Sequence, residues 1–335
     1  MHIYLSCQRL RSAPYPMDPL YVGNWPERCG LFARSASVSL HYELRGNEDA
    51  ANKALLVMGA CATRRHFEQL ADTLASAGVE VLSYDHRGIG RSKSTGALER
   101  RASQTSEVLA ADALALLDHV WPSSPPGSCL HVYGASMGGM VAQRLALLLL
   151  ARPHARLPLR SVTLSVTARC YGRARFVPLG AGFYRAVLPL ALPKTADKLV
   201  ETLLPKCFGA DFLAAPHPTE SSGATMGELW RRRWVAEFDD WWSLRNVECT
   251  AAQATVAGRH FTTSAELATL RECGVPILVS IAEKDELIAP HAQKELARLL
   301  GARTLVSTGG HMGSVAEFGE LRRAVAAHML AAGGG

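Results

Sequence analysis

Three kinds of side chain, far apart in this 335-residue chain, could together make a serine hydroxyl reactive: Ser136, His311 and an acid just past residue 282. A serine hydroxyl is a weak nucleophile until a neighbouring base takes its proton, and an imidazole does this when a carboxylate fixes its tautomer. Ser136 is the centre of Gly134-Ala135-Ser136-Met137-Gly138, which closes the short apolar run 129–133 and opens the apolar helical pattern 140–151. In that strand–turn–helix setting a serine stands on a tight turn with its hydroxyl exposed. Gly134 and Gly138 flank the turn, where side chains would collide with the strand and the helix. The pentapeptide alone is weak evidence, and its flanks give it weight.

The partners belong on loops at the carboxyl ends of later strands. The apolar run 277–282 leads into Glu283-Lys284-Asp285-Glu286, and 304–308 leads into Gly309-Gly310-His311. The chain order is then Ser, acid, His. Asp285 is preferred as the acid because it opens the loop two residues past the strand's end; Glu283 and Glu286 are its competitors. The chemistry also needs two backbone N–H groups aimed at the developing oxyanion. Met137, after the serine, supplies one, and Ala60, in the loop Gly59-Ala60-Cys61 after strand 54–58, is the candidate for the other. The segment from Asp85 to Ser92 carries Gly88 and Gly90 among turn-forming polar residues and reads as structural. His131 alternates into its strand and reads as packed, while His66, His260 and His291 are given no role.

These residues need a scaffold of strands and helices in alternation. Short apolar runs predict strands over 37–44, 54–58, 79–84, 129–133, 162–166, 277–281 and 304–306. Helical spacing predicts helices over 65–77, 105–120, 293–300 and 314–332. The pattern is α/β, a mostly parallel sheet covered on both faces. Residues 1–31 have four prolines and no periodicity, and read as a loose lead-in; the body spans 32–167 and 272–332. The intervening residues 168–271 read as a helical cap insertion. Trp230, Trp234, Phe238 and Trp241 share one face there, a stripe that either docks the cap or roofs an apolar pocket.

A hydrophobic fraction of 48% and a charged fraction of 20% are ordinary for a globular domain. The formal charge of +6 is mild, and Arg64-Arg65, Arg100-Arg101 and Arg231-Arg232-Arg233 are dispersed, which argues against nucleic acid. Eight isolated cysteines without a CxxC pair suit a reducing, cytoplasmic compartment. The first twenty residues lack a secretory apolar core, although Arg9 and Arg11 keep an organelle transit segment as the alternative. No run reaches the length of a membrane span. Membrane contact is at most peripheral, through Trp230, Trp234 and the adjacent arginines, and is opposed by Glu237, Asp239 and Asp240.

With its Gly134-x-Ser136-x-Gly138-Gly139, Asp85-x-Arg87-Gly88-x-Gly90-x-Ser92, Asp285 and Gly310-His311, the chain resembles a serine α/β-hydrolase from about residue 40 to 329. The resemblance implies an eight-stranded, mostly parallel sheet flanked by helices, with the cap after the sixth strand. It also implies hydrolysis through an acyl-enzyme, with no cofactor. Many relatives carry His-Gly where this chain has Met58-Gly59, so the bracing of the oxyanion loop is expected to differ. The expected activity is hydrolysis of a small or medium lipophilic carboxylic ester, such as a monoacylglycerol. Thioester or C–C hydrolysis and acyl transfer are the alternatives within the fold, and a non-hydrolytic ligand receptor or scaffold is the rival from another class. No oligomeric state is assigned.

Overall fold

Residues alternate along the central strands because each strand must satisfy two cores. Leu55, Val57, Leu82, Tyr84, Val132, Leu164 and Val279 point to one face, while Ala54, Leu56, Val81, Tyr133 and Leu278 point to the other. A computed structural model describes residues 28–95, 104–152, 157–170, 195–217, 223–236, 238, 247–312 and 319–333. Its strands are β1 (Arg28–Ala33), β2 (Val38–Arg45), β3 (Asn52–Val57), β4 (Val79–Tyr84), β5 (Lys93–Ser94), β6 (Cys129–Ala135), β7 (Leu159–Ser165), β8 (Ile277–Ala282) and β9 (Arg303–Ser307). Its helices are α1 (Glu68–Ser76), α2 (Ser106–Val120), α3 (Met137–Leu150), α4 (Ala196–Cys207), α5 (Ala210–Ala214), α6 (Met226–Ala236), α7 (Val247–Arg259), α8 (Ser264–Glu272), α9 (Pro290–Leu300) and α10 (Gly319–Gly333).

The strands lie in the order β1-β2-β4-β3-β6-β7-β8-β9, parallel from β4 onward, with β1–β2 and β2–β4 antiparallel. One face carries α2, α3, α8 and α9, and the other α1 and α10. Each fully buried Leu or Val of these cores contributes roughly 1.5–3 kcal/mol. The chain leaves β3 for β4 on one side and returns to β6 on the other. The carboxyl ends of β3 and β6 therefore flank a topological switch point, where open parallel sheets bind ligands.

The sheet has nine strands where eight were expected, because β5, two residues long, pairs with β2 off the main path. The lead-in expected over 1–31 also gives way at Arg28, where β1 begins. Backbone pairing with β2 and an Arg28–Glu80 ion pair hold this edge strand, and its muted alternation (Cys29 buried, Leu31 exposed) hid it. Residues 1–27 lie outside the described residues, as does Trp241.

The segment between β7 and β8, the sixth and seventh strands of the eight-strand path, divides by its packing. Helices α4 and α6 build a small core of their own, with Leu199, Val200, Leu203, Leu204, Phe208, Trp230 and Trp234 closing on Cys61. Val256 of α7 and Leu267 and Leu270 of α8 belong instead to the main core. His260 bonds Ser106 at 2.9 Å, and Thr262 donates to Gln143 Oε1 at 2.9 Å, fastening the far end of α7 to α2 and α3. Arg231 pairs with Asp197 and Glu201 and so ties α6 to α4, while Arg233 lies 5.3 Å over the ring of Trp230 on its own helix. No helix among the described residues is long and apolar enough to cross a membrane.

Candidate active site

Ser136 sits between β6 and α3 with φ 56° and ψ −126°, a region an L-residue enters only under constraint. Its N–H donates to Ser165 O at 2.9 Å, and its carbonyl accepts from Thr167 Oγ1 at 2.7 Å. The flanking glycines act as the sequence predicted. A Cβ on Gly134 would strike the Gly138 carbonyl, and one on Gly138 would strike the carbonyls of Val57 and Met58. The absence of those carbons lets α3 start directly against the end of β3. A Cβ on Gly59 would lie 3.4 Å from Ser136 Cβ and 4.0 Å from its Oγ, so the loop after β3 borders the hydroxyl.

Asp285 and His311 meet as predicted. His311 Nδ1 and Asp285 Oδ2 are 2.8 Å apart, with both residues buried. A carboxylate only accepts, so Nδ1 carries the hydrogen and Nε2 of the neutral ring is left as an acceptor. Asp285 also takes the N–H groups of Leu287 (2.8 Å) and Ile288 (2.9 Å) on Oδ1 and the Gln293 amide (2.8 Å) on Oδ2. Glu283 and Glu286, the competing acids, are exposed. The histidine loop is held from the insertion: Met312 N–H donates to Cys207 O at 2.8 Å, and Gly310 lies where a Cβ would press on residues 207–209. Lys284, beside the acid, pairs with Asp211 of α5. Ser136, Asp285 and His311 thus follow β6, β8 and β9 at the carboxyl edge of one sheet.

The N–H of Met137 is the first of α3, where helix geometry supplies no acceptor. Ala60 is part of a tightly bound loop. His86 Nε2 donates to Met58 O at 3.0 Å, Cys61 N–H donates to Gln253 Oε1 at 2.6 Å, and Arg64 N–H donates to Asp85 Oδ1 at 2.8 Å. The loop is thus braced at Met58 through its backbone carbonyl, by His86. Burial lowers the His86 pKa to about 4, so the ring is neutral and donates through Nε2. The loop beginning at Asp85 is structural as expected: Asp85 also accepts from Arg91 N–H (3.0 Å), and Ser92 Oγ donates to Asp85 O at 2.6 Å. Burial raises the Asp85 pKa.

Among the other histidines, His131 is buried against Ser161 at 2.8 Å and lowered to about 4, chiefly by burial. His66 and His260 are buried and lowered to about 3, and His291 is exposed. Sequence reasoning passed over Gln253, Gln293 and Thr167, which hold the site's loops. The glutamines carried a usable signal, since each is a polar residue on an apolar helical face: Gln293 with Leu296, Ala297 and Leu300, and Gln253 with Cys249, Val256 and His260. Strain collects here as well. The positive-φ non-glycine residues among those described are Cys61 (61°), Ser136 (56°) and Val166 (42°), on the loops after β3, β6 and β7.

Residues 49–310 match the model of the family described as serine aminopeptidase, S33. Among solved structures, a hydrolase from Pseudomonas aeruginosa is similar at 21% identity, covering 92% of this chain and 98% of that one, with a TM-score of 0.64. The enol-lactonase from Burkholderia xenovorans matches at 22% identity over 88% and 99% of the two chains, with a TM-score of 0.64. A thermophilic esterase from Thermogutta terrifontis matches at 17% over 91% and 99%, with a TM-score of 0.66. At these identities the likeness is one of fold.

Proposed function

The chain belongs to the serine aminopeptidase S33 family of α/β-hydrolases, and from that membership we propose that it hydrolyses carboxylic esters of small to medium lipophilic substrates through an acyl-enzyme on Ser136. The observation that carries this reading is the buried Asp285–His311 pair on the same sheet edge as the strained Ser136 turn. In the proposed cycle His311 Nε2 takes the proton of Ser136 Oγ as the hydroxyl attacks the ester carbonyl. Asp285 holds the tautomer and stabilises the imidazolium, while the N–H groups of Met137 and Ala60 receive the oxyanion. His311 then protonates the leaving alcohol, the acyl-enzyme forms, and water activated by His311 releases the acid. A lactone is an internal ester and fits the same steps, with acid and alcohol leaving as one hydroxy acid. The named activities of the Thermogutta esterase and the Burkholderia enol-lactonase support an ester-directed reading, and they belong to those proteins.

The test is a fluorophosphonate probe with wild type, Ser136→Ala and His311→Ala, followed by p-nitrophenyl esters of increasing chain length. Only wild type should be labelled, and either substitution should cut turnover by roughly 10⁴-fold or more while leaving the fold intact. Full esterase activity in Ser136→Ala would reject the mechanism. A folded wild type that neither labels nor turns over esters would favour a binding protein on the same scaffold.

A further inference from the structure

We propose that Gln253 of helix α7 is a positioning residue for the oxyanion loop, a role that rests on the serine-hydrolase reading above. Its Oε1 accepts the N–H of Cys61 at 2.6 Å, and the side chain is fully buried. The orientation of the amide is not arbitrary, because a backbone N–H can only donate and the oxygen must face it. The NH2 end, Nε2, has no hydrogen-bond partner among the described residues. A buried amide with its donor unsatisfied is a poor way to fill a core, where Met or Leu would pack as well without the desolvation cost. What the amide supplies is one acceptor aimed at one N–H of the loop beside Ser136.

That N–H belongs to a residue held against its preference. Cys61 has φ 61°, and it carries neither the freedom of glycine nor the local bonding of Asn or Asp that eases this region. The loop is pinned on both sides, at Met58 by His86 and at Arg64 by Asp85. If Cys61 relaxed to negative φ, the rotation would have to be taken up at Gly59 and Ala60, which would shift the stretch of loop that borders Ser136. The Gln253 bond opposes that rotation. Its support is rigid: Val256 of α7 lies in the main core, His260 is bonded to Ser106, and Cys249 abuts Gly88 so closely that a Cβ there would strike its sulfur. The helix that props the oxyanion loop therefore rests on the same 85–92 turn that braces Met58.

The experiment is Gln253→Met, assayed with p-nitrophenyl butyrate beside wild type. Removal of the acceptor should lower kcat about ten- to a hundredfold, the effect of a misplaced oxyanion donor. KM should stay within about threefold, because the loss falls on the transition state. The thermal midpoint should stay within about 2 °C, since one orphan replaces another. Amide exchange at Cys61 should quicken about tenfold or more. Adding Cys61→Gly to Gln253→Met should recover about fivefold or more of the lost kcat, because glycine holds the positive φ unaided. That recovery is not expected of a residue that merely fills space. If Gln253→Met does not fold, Gln253→Asn, which draws the oxygen back by one methylene, takes its place in the same assays. Wild-type kcat in the folded variant would overturn the proposal and leave ester hydrolysis standing. An inert wild type would overturn the hydrolase reading and this proposal with it.

Discussion

Asp285 receives four donors, and their placement determines what an amide would do in its place. Oδ1 faces the N–H groups of Leu287 and Ile288, so an asparagine would have to put its oxygen there. Its NH2 would then face His311 Nδ1, forcing that nitrogen to accept and moving the ring hydrogen to Nε2, the nitrogen proposed above as the base. Asp285→Asn should therefore lose about 10⁴-fold in kcat, whereas Glu283→Gln, on an exposed side chain, should stay within about twofold. Steady-state kinetics on the two variants decides between the acids. Near-wild-type turnover in Asp285→Asn together with a large loss in Glu283→Gln would overturn the assignment of Asp285.

Three buried glutamines do for the loops what hydrogen-bonded ladders do for the strands. Gln143 of α3 donates to Gly139 O and Ala168 O, Gln253 of α7 holds Cys61, and Gln293 of α9 receives Ala282 N–H while donating to Asp285 and Ile288 O. Helix α3 also depends on contact with β3 at Gly138. Gly138→Ala should cost about 3 kcal/mol, read as a lower urea midpoint, because the new methyl meets backbone carbonyls that cannot step aside. A variant as stable as wild type would mean that α3 can slide along the sheet. The Gly134–Gly138 turn was legible in the sequence because its steric demand is local. So were the strands β3, β4, β6 and β8, whose burial on both faces leaves short, mostly apolar runs broken only by single buried polar residues such as Glu80, His131 and Ser280. Strand β1 was hidden because an edge strand buries little, and β5 because two residues carry no period. Gln253 and Gln293 were missed because their partners are backbone atoms distant in sequence, which no spacing rule reaches.

At the scale of the molecule, buried neutral imidazoles set the response to acid. Burial lowers His41, His86 and His131 to about 4 and His66 and His260 to about 3, against an ordinary value near 6.5. Between those limits the unfolded chain binds protons that the folded chain refuses. Stability is therefore whole above about pH 6.5 and declines as the pH falls toward 4. Each imidazole contributes up to about 1.4 kcal/mol per pH unit within its window. The raised carboxyl of Asp85 acts in the opposite sense. Urea midpoints should drop markedly between about pH 7.5 and about pH 5, and a flat profile would mean these rings are solvated in the folded state.

The divided packing of the helices between β7 and β8 has a consequence for how such a molecule can be remade. Helices α4–α6 close on themselves and on the rims of the site loops, while α7 and α8 are sunk into the body with the prop at Gln253. A graft that exchanges α4–α6 for the corresponding stretch of a relative also replaces Cys207 and Asp211, so it must restore the acceptor for Met312 N–H and the partner of Lys284. A graft that also takes α7 removes the Gln253 bond to Cys61 as well, and with it the positioning proposed above for the loop beside Ser136. Two kinds of packing thus adjoin along the chain, and the border between them runs through a segment that looks, by length alone, like a single cap.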